Sequence, residues 1–195
     1  MSNNIIMDAL SQDILSITGL LDFILQNRLE GWRGALASLA CALLRDYQKK
    51  NNITTRCIDN CQTLYHIMCS LGFKEDVKVK SVILLSATKI VYGHLVLEFD
   101  GTNIDPSYEC YSLKGKKYID TIKDLLDNVY VDKDHPVDRE IMKMWSKQFL
   151  HFTGIAEQIN KGELRITNKE YYNKQADYVE PLLFKYYQQA KQLLK

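Results

Sequence analysis

Apolar residues recur along the chain with two different periods, and the switch between them sets out the elements. Leu10, Ile14, Ile17, Leu21 and Ile24 return at three- and four-residue steps. That spacing predicts an amphipathic helix over residues 8–26, with Asp8 or Ser11 as its cap. A break at Glu30-Gly31 precedes a second helical pattern over 32–49, whose small residues Gly34, Ala35, Ala37, Ala40 and Ala42 suit close packing. A third helix runs from Cys57 to about residue 71, with Leu64, Ile67, Met68 and Leu71 as its stripe and Gly72 where a left-handed cap is wanted. The period then shortens. Val77, Val79, Val82, Ile83 and Leu84 read as a strand. Residues 90–99 read as another, with Leu95, Leu97 and Phe99 on one face and Val96 and Glu98 on the other. Asp100-Gly101 is a hairpin signal, since glycine takes positive φ at little cost. A short third strand over 102–104 ends at Asp105-Pro106. Helical spacing returns over 118–128, 138–160 and 169–194, the last interrupted by Pro181, which is expected to kink or break it.

This order predicts an α+β fold in a single domain over 1–195. A core of about 30–115 carries additional N-terminal helices and a C-terminal helical extension of about 116–195. The composition agrees with a packed domain, at 46% hydrophobic and 25% charged residues. A net charge of +1 supplies no field that would favour nucleic acid or a membrane surface, so neither is expected as a partner. The most apolar stretch, 35–44, is short and flanked by Arg33 and Arg45, which suits a buried helix better than a membrane span. The first residues lack a basic start and a cleavage pattern, which sets the expectation of a cytosolic address. The five cysteines, Cys41, Cys57, Cys61, Cys69 and Cys110, are an odd number and do not suggest a disulfide framework.

One unit carries chemistry: a cysteine at the start of a helix, a histidine on a following strand and an aspartate at the end of the next. A thiol attacks a carbonyl as its thiolate, and the positive end of a helix favours that form. An adjacent imidazolium favours it further and later protonates the leaving group. A carboxylate behind the imidazole fixes its orientation. Cys57, His94 and Asp105 are the candidates for those three roles, and the Asp100-Gly101 turn brings the last two strands together. The bland readings are an inert buried thiol for Cys57, a satisfied core histidine for His94 and a plain turn for Asp105-Pro106.

The segment Cys57-Ile-Asp-Asn-Cys-Gln-Thr-Leu-Tyr-His-Ile-Met-Cys-Ser-Leu-Gly-Phe73 resembles the nucleophile helix of the transglutaminase-like superfamily. In that helix an acidic residue, here Asp59, follows the cysteine and a Leu-Gly-Phe sequence closes it. Gly93-His-Leu-Val-Leu-Glu-Phe-Asp-Gly-Thr-Asn-Ile-Asp-Pro-Ser107 resembles the histidine–aspartate hairpin of the same family. The resemblance covers residues 57–107. It departs at Val96, where the family often has an aromatic residue. It implies a papain-like or transglutaminase-like core, with a nucleophile helix packed on a small antiparallel sheet. It further implies a cysteine-dependent hydrolase or acyl transferase acting on an amide or peptide-like bond, with a peptide or protein substrate and neither metal nor organic cofactor. The family register places the nucleophile fifteen residues before Gly72, at Cys57, with Cys61 as the alternative. Asn51 or Asn52 is the candidate oxyanion donor beside the backbone N–H of the nucleophile.

Two other functions remain open. An arylamine acetyltransferase-like enzyme uses a similar triad, although the Arg-Gly-Gly approach of that family is missing before Cys57. Alternatively, the fold serves as an inactive binding or scaffold module, with the tyrosine-rich C-terminal helices as a partner surface; core packing is the bland reading of those tyrosines. A zinc site from Cys57, Cys61, His66 and Cys69 has the wrong spacing, because all four lie on one helix and point different ways. His135 and His151 have no evident partner.

Overall fold

The computed structural model describes residues 32–53, 57–85, 91–107, 117–119, 139–163 and 169–193. The helices expected over 8–26 and over the remainder of 120–128 lie outside them, as does Cys110. In chain order the elements are α1 (Trp32–Lys50), α2 (Cys57–Ser70), β1 (Val77–Leu85), β2 (Val91–Phe99), β3 (Thr102–Ile104), β4 (Lys117–Ile119), α3 (Arg139–Lys161) and α4 (Lys169–Leu193). The fold is α+β, with an antiparallel sheet in the order β3-β2-β1-β4.

The turns form where the residues favour them. α2 ends at Gly72, which takes φ +93°; its N–H donates to the Cys69 carbonyl and that of Phe73 donates to Met68, closing the helix. Asp100 and Gly101 both have positive φ, at 51° and 74°, so the hairpin twists with its strands and pairs Phe99 with Thr102. β1 and β2 pair along their whole length, from Val77↔Phe99 to Leu85↔Val91. Leu95, Leu97 and Phe99 enter the core, whereas Glu98 pairs with Lys78 and Lys80 on the opposite side.

The core joins Leu36, Leu39 and Leu43 of α1, Leu64, Ile67 and Met68 of α2, the inward face of β2, and Val179, Leu183 and Tyr186 of α4. Each such side chain contributes roughly 1.5–3 kcal/mol, so burial holds the fold together. The C-terminal helix, expected as an extension, thus shares one core with the helix of Cys57. Tyr178 and Tyr186 face that core side: Tyr186 is buried, and the Tyr178 hydroxyl donates to Asp46 at 2.6 Å while its ring lies against Tyr47.

Two expectations are corrected. Tyr118 and Ile119 belong to a strand rather than to the start of a helix, pairing with Leu84 and Ile83. Pairing with β1 overrides the helical spacing there. Pro181 does not break α4, which runs through it. The carbonyl that loses its partner belongs to Asp177, and both residues face water, while Val179 and Leu183 on the other side stay buried.

Candidate active site

α2 begins at Cys57, which sets the sulfur at the positive end of the helix; Asp59 follows in the first turn. His94 lies on β2. Alternation places it on the Val96 and Glu98 side of the strand, away from Leu95 and Leu97. β3 pairs Ile104 with Leu97, so Asp105, one residue further, falls beside Val96 and shares a face with His94. The result is a contact of 3.0 Å between His94 Nε2 and Asp105 Oδ1. Cys57 lies close enough to the same ring to raise its proton affinity. Nε2 is the ring nitrogen turned to the carboxylate. The three side chains are therefore brought together in the order thiol, imidazole, carboxylate.

All three are withdrawn from water: Cys57 is 4% exposed, His94 0% and Asp105 8%. Burial lowers the proton affinity of His94. The hydrogen bonds to Asp105 and Cys57 and the charges of those groups outweigh it, and together they lift the pKa to about 9. At neutral pH the ring is then an imidazolium facing Asp105.

The other thiols differ. Cys61, the alternative nucleophile, is fully buried one turn further on. Burial, with the charges of Cys57, Asp105 and Cys41 adding to it, raises its pKa well above the ordinary thiol range, so it stays protonated. Burial also raises Cys41, to about 12 despite opposition from Arg45, and the Cys41 thiol donates to the Asp105 carbonyl at 3.6 Å. Cys69 is half-buried and raised mainly by burial.

Asn51 and Asn52 lie in the turn after α1. Both are exposed there; Asn51 Nδ2 donates to the Tyr47 carbonyl and Asn52 takes a positive φ of 52°. The Asn51 side chain is thus engaged at the end of α1. His66 sits edge-on to Tyr65 and Tyr172, with its pKa lowered by burial. His151 is exposed, and His135 lies outside the described residues. No group of three or more potential metal ligands occurs among the described residues.

Behind Asp105 runs a chain of buried polar side chains absent from the sequence-based reading. The Ser107 backbone N–H donates to Asp105 Oδ1 at 2.8 Å, a turn that Asp-Pro-Ser favours. Asn60 Nδ2 donates to Ser107 Oγ at 2.8 Å, and Gln48 Nε2 donates to both Asn60 Oδ1 and Gln175 Oε1 at 2.8 Å each. Gln48, Asn60, Ser107 and Gln175 are all buried. A signal for three of them exists in the sequence. Gln48 follows Leu44 by four residues, Asn60 lies between Cys57 and Leu64, and Gln175 precedes Val179 by four, so each occupies an apolar stripe.

No family model, curated protein or solved structure matches the chain. The geometry of the site therefore carries the functional argument.

Among the described residues, no helix is long and apolar enough to cross a membrane.

Proposed function

We propose that the chain is a cysteine-dependent hydrolase or acyl transferase acting on an amide or thioester bond, built on a papain-like or transglutaminase-like core. The observation that carries this reading is His94 held between the helix-start thiol of Cys57 and the Asp105 carboxylate, with Nε2 and Oδ1 3.0 Å apart. In the reaction the Cys57 sulfur attacks the carbonyl carbon, and His94 gives its proton to the leaving amine or thiol as the bond to carbon breaks. The acyl group then rests on sulfur as a thioester. His94, now neutral, takes a proton from the incoming water or amine, whose attack releases the acyl group and restores the thiolate. Asp105 holds the ring and stabilises its charged form throughout. A peptide or protein is the substrate class that fits this chemistry.

A second reading is favoured by the closure of the site. With His94 wholly buried and Cys57 nearly so, an acyl donor reaches the sulfur after its cover shifts. A module that kept the fold and lost the reaction would have no need of that opening.

Alkylation distinguishes the two readings. Iodoacetamide at pH 6, followed by peptide mass spectrometry, is expected to label Cys57 faster than Cys41 or the more exposed Cys69, and Cys57→Ala removes that fast component. A Cys57 no faster than Cys69 in the folded protein would overturn the enzymatic reading in favour of the inactive module. An acetyl adduct on Cys57 after treatment with acetyl-CoA would place the chain with the arylamine acetyltransferase-like enzymes instead.

A further inference from the structure

Asp105 stands one residue past Ile104, the last residue of β3. Its carboxylate still has to meet His94 within a few tenths of an ångström to orient the ring. The attachments around it are side chains from other elements. Cys41 of α1 holds the Asp105 carbonyl, and Asn60 of α2 holds the hydroxyl of Ser107, whose own N–H is bonded to Asp105 Oδ1. That oxygen is the one facing Nε2 of His94. Displacing Ser107 therefore removes a donor from the atom that sets the imidazole.

We infer that Asn60, held in turn by Gln48 and through it by Gln175 of α4, is a positioning residue that fixes Ser107 and thereby sets the Asp105 carboxylate against His94. The inference rests on the proposed triad and extends the functional unit to the C-terminal helix. The alternative is packing alone, and the chemistry of the residues weighs against it. Gln48, Asn60 and Gln175 occupy apolar stripes where leucine would fill the space without a polar group to satisfy. Their donors and acceptors run in one direction: both amide hydrogens of Gln48 are used, one on Gln175 and one on Asn60, which leaves the Asn60 amide free to point at Ser107. Asn60 also lies on the same helix as Cys57, three residues on, so one rigid element carries both the nucleophile and the tether of its acid.

The test is the titration of His94 in the full chain, followed by NMR of isotopically labelled histidine and assigned with His94→Gln. In the unmodified protein the midpoint is expected well above 6.5. Asn60→Leu and Ser107→Ala should each bring it down by about one pH unit, a tenfold loss of proton affinity. Gln175→Met should move it less, in the same direction. Ser107→Thr, which keeps the hydroxyl, should restore it. If Asn60→Leu fails to fold, the Ser107→Ala and Ser107→Thr pair decides alone. Folded variants that leave the His94 midpoint in place overturn the inference. The alkylation rate of Cys57 is read separately. A reactive Cys57 with an unmoved midpoint sinks the positioning role alone, whereas an inert Cys57 with a midpoint that follows Asn60 sinks the enzymatic reading and keeps the tether.

Discussion

Asp105 reaches His94 from beyond the end of β3, with Oδ1 3.0 Å from Nε2 and both side chains withdrawn from water. The pair makes stability depend on pH in a defined window. The folded His94 pKa, about 9, lies above the 6.5 of the free side chain, so the folded state holds the proton more tightly than the unfolded chain. The stabilisation is complete below about pH 6.5 and is lost as the pH rises through about 9, amounting to at most about 3 kcal/mol. Urea unfolding between pH 6 and 9.5 should show a midpoint that falls with pH, and His94→Gln should flatten the fall in that window. Cys41 and Cys61 act in the same direction, but above the ordinary thiol range, because they resist ionising in the fold.

Cys61 should behave as a core residue. In the folded protein at pH 8 it should remain unlabelled by iodoacetamide, and in concentrated urea it should label like any thiol. Cys61→Ala should cost about 1 kcal/mol of stability through the space it leaves and should keep the fast alkylation of Cys57. Loss of that fast component in a folded Cys61→Ala protein would transfer the nucleophile to Cys61.

The grouping of Cys57, His94 and Asp105 was legible in the sequence because each sits at a landmark that local pattern reveals: a helix start, a strand, and the end of a hairpin whose turn is spelled Asp-Gly. The same holds for the cap at Gly72 and for the α+β order. What stayed hidden depends on partners distant along the chain. Gln48 and Gln175 are neighbours only once α1 lies against α4, and a glutamine in an apolar stripe does not name its partner in advance. Asn51 drew attention as an amide upstream of Cys57, but its side chain is engaged by the Tyr47 carbonyl at the end of α1. The strand at Tyr118-Ile119 exists because β1 offers an edge there, which helical spacing cannot reveal.

Asn160 supplies another such long-range contact, and its removal should be costly. Among the described residues β4 pairs with β1 from Ile83 to Leu85, and further along β1 Val79 meets Asn160 of α3. Val79 N–H donates to Asn160 Oδ1 at 2.7 Å and Asn160 Nδ2 donates to the Val79 carbonyl at 2.8 Å. Asn160→Ala would leave both backbone groups without this partner. A loss of roughly 1–3 kcal/mol is expected in urea unfolding, with faster hydrogen exchange at the Val79 amide. The His94 titration should stay where it is, since Asn160 does not belong to the chain behind Asp105. A stability within about 0.5 kcal/mol of the unmodified protein would show that water replaces the amide.

Gly93, next to His94, lies close against Phe152 of α3. A methyl group at that position would lie 2.5 Å from Cδ2 and 2.9 Å from Cε2 of Phe152, with the Gln148 carbonyl at 3.4 Å. The ring is half-buried between helix and sheet, so relief requires either a turn of Phe152 or a shift of α3 away from the strand. Gly93→Ala should therefore destabilise by about 1–3 kcal/mol. Because the displaced strand also carries His94, the variant should slow alkylation of Cys57 as well. Adding Phe152→Leu supplies the missing room and should recover part of both losses, a coupling that a double-mutant cycle measures directly. If the two substitutions simply add, the ring and the glycine do not constrain each other, and the close approach of α3 has no part in holding His94.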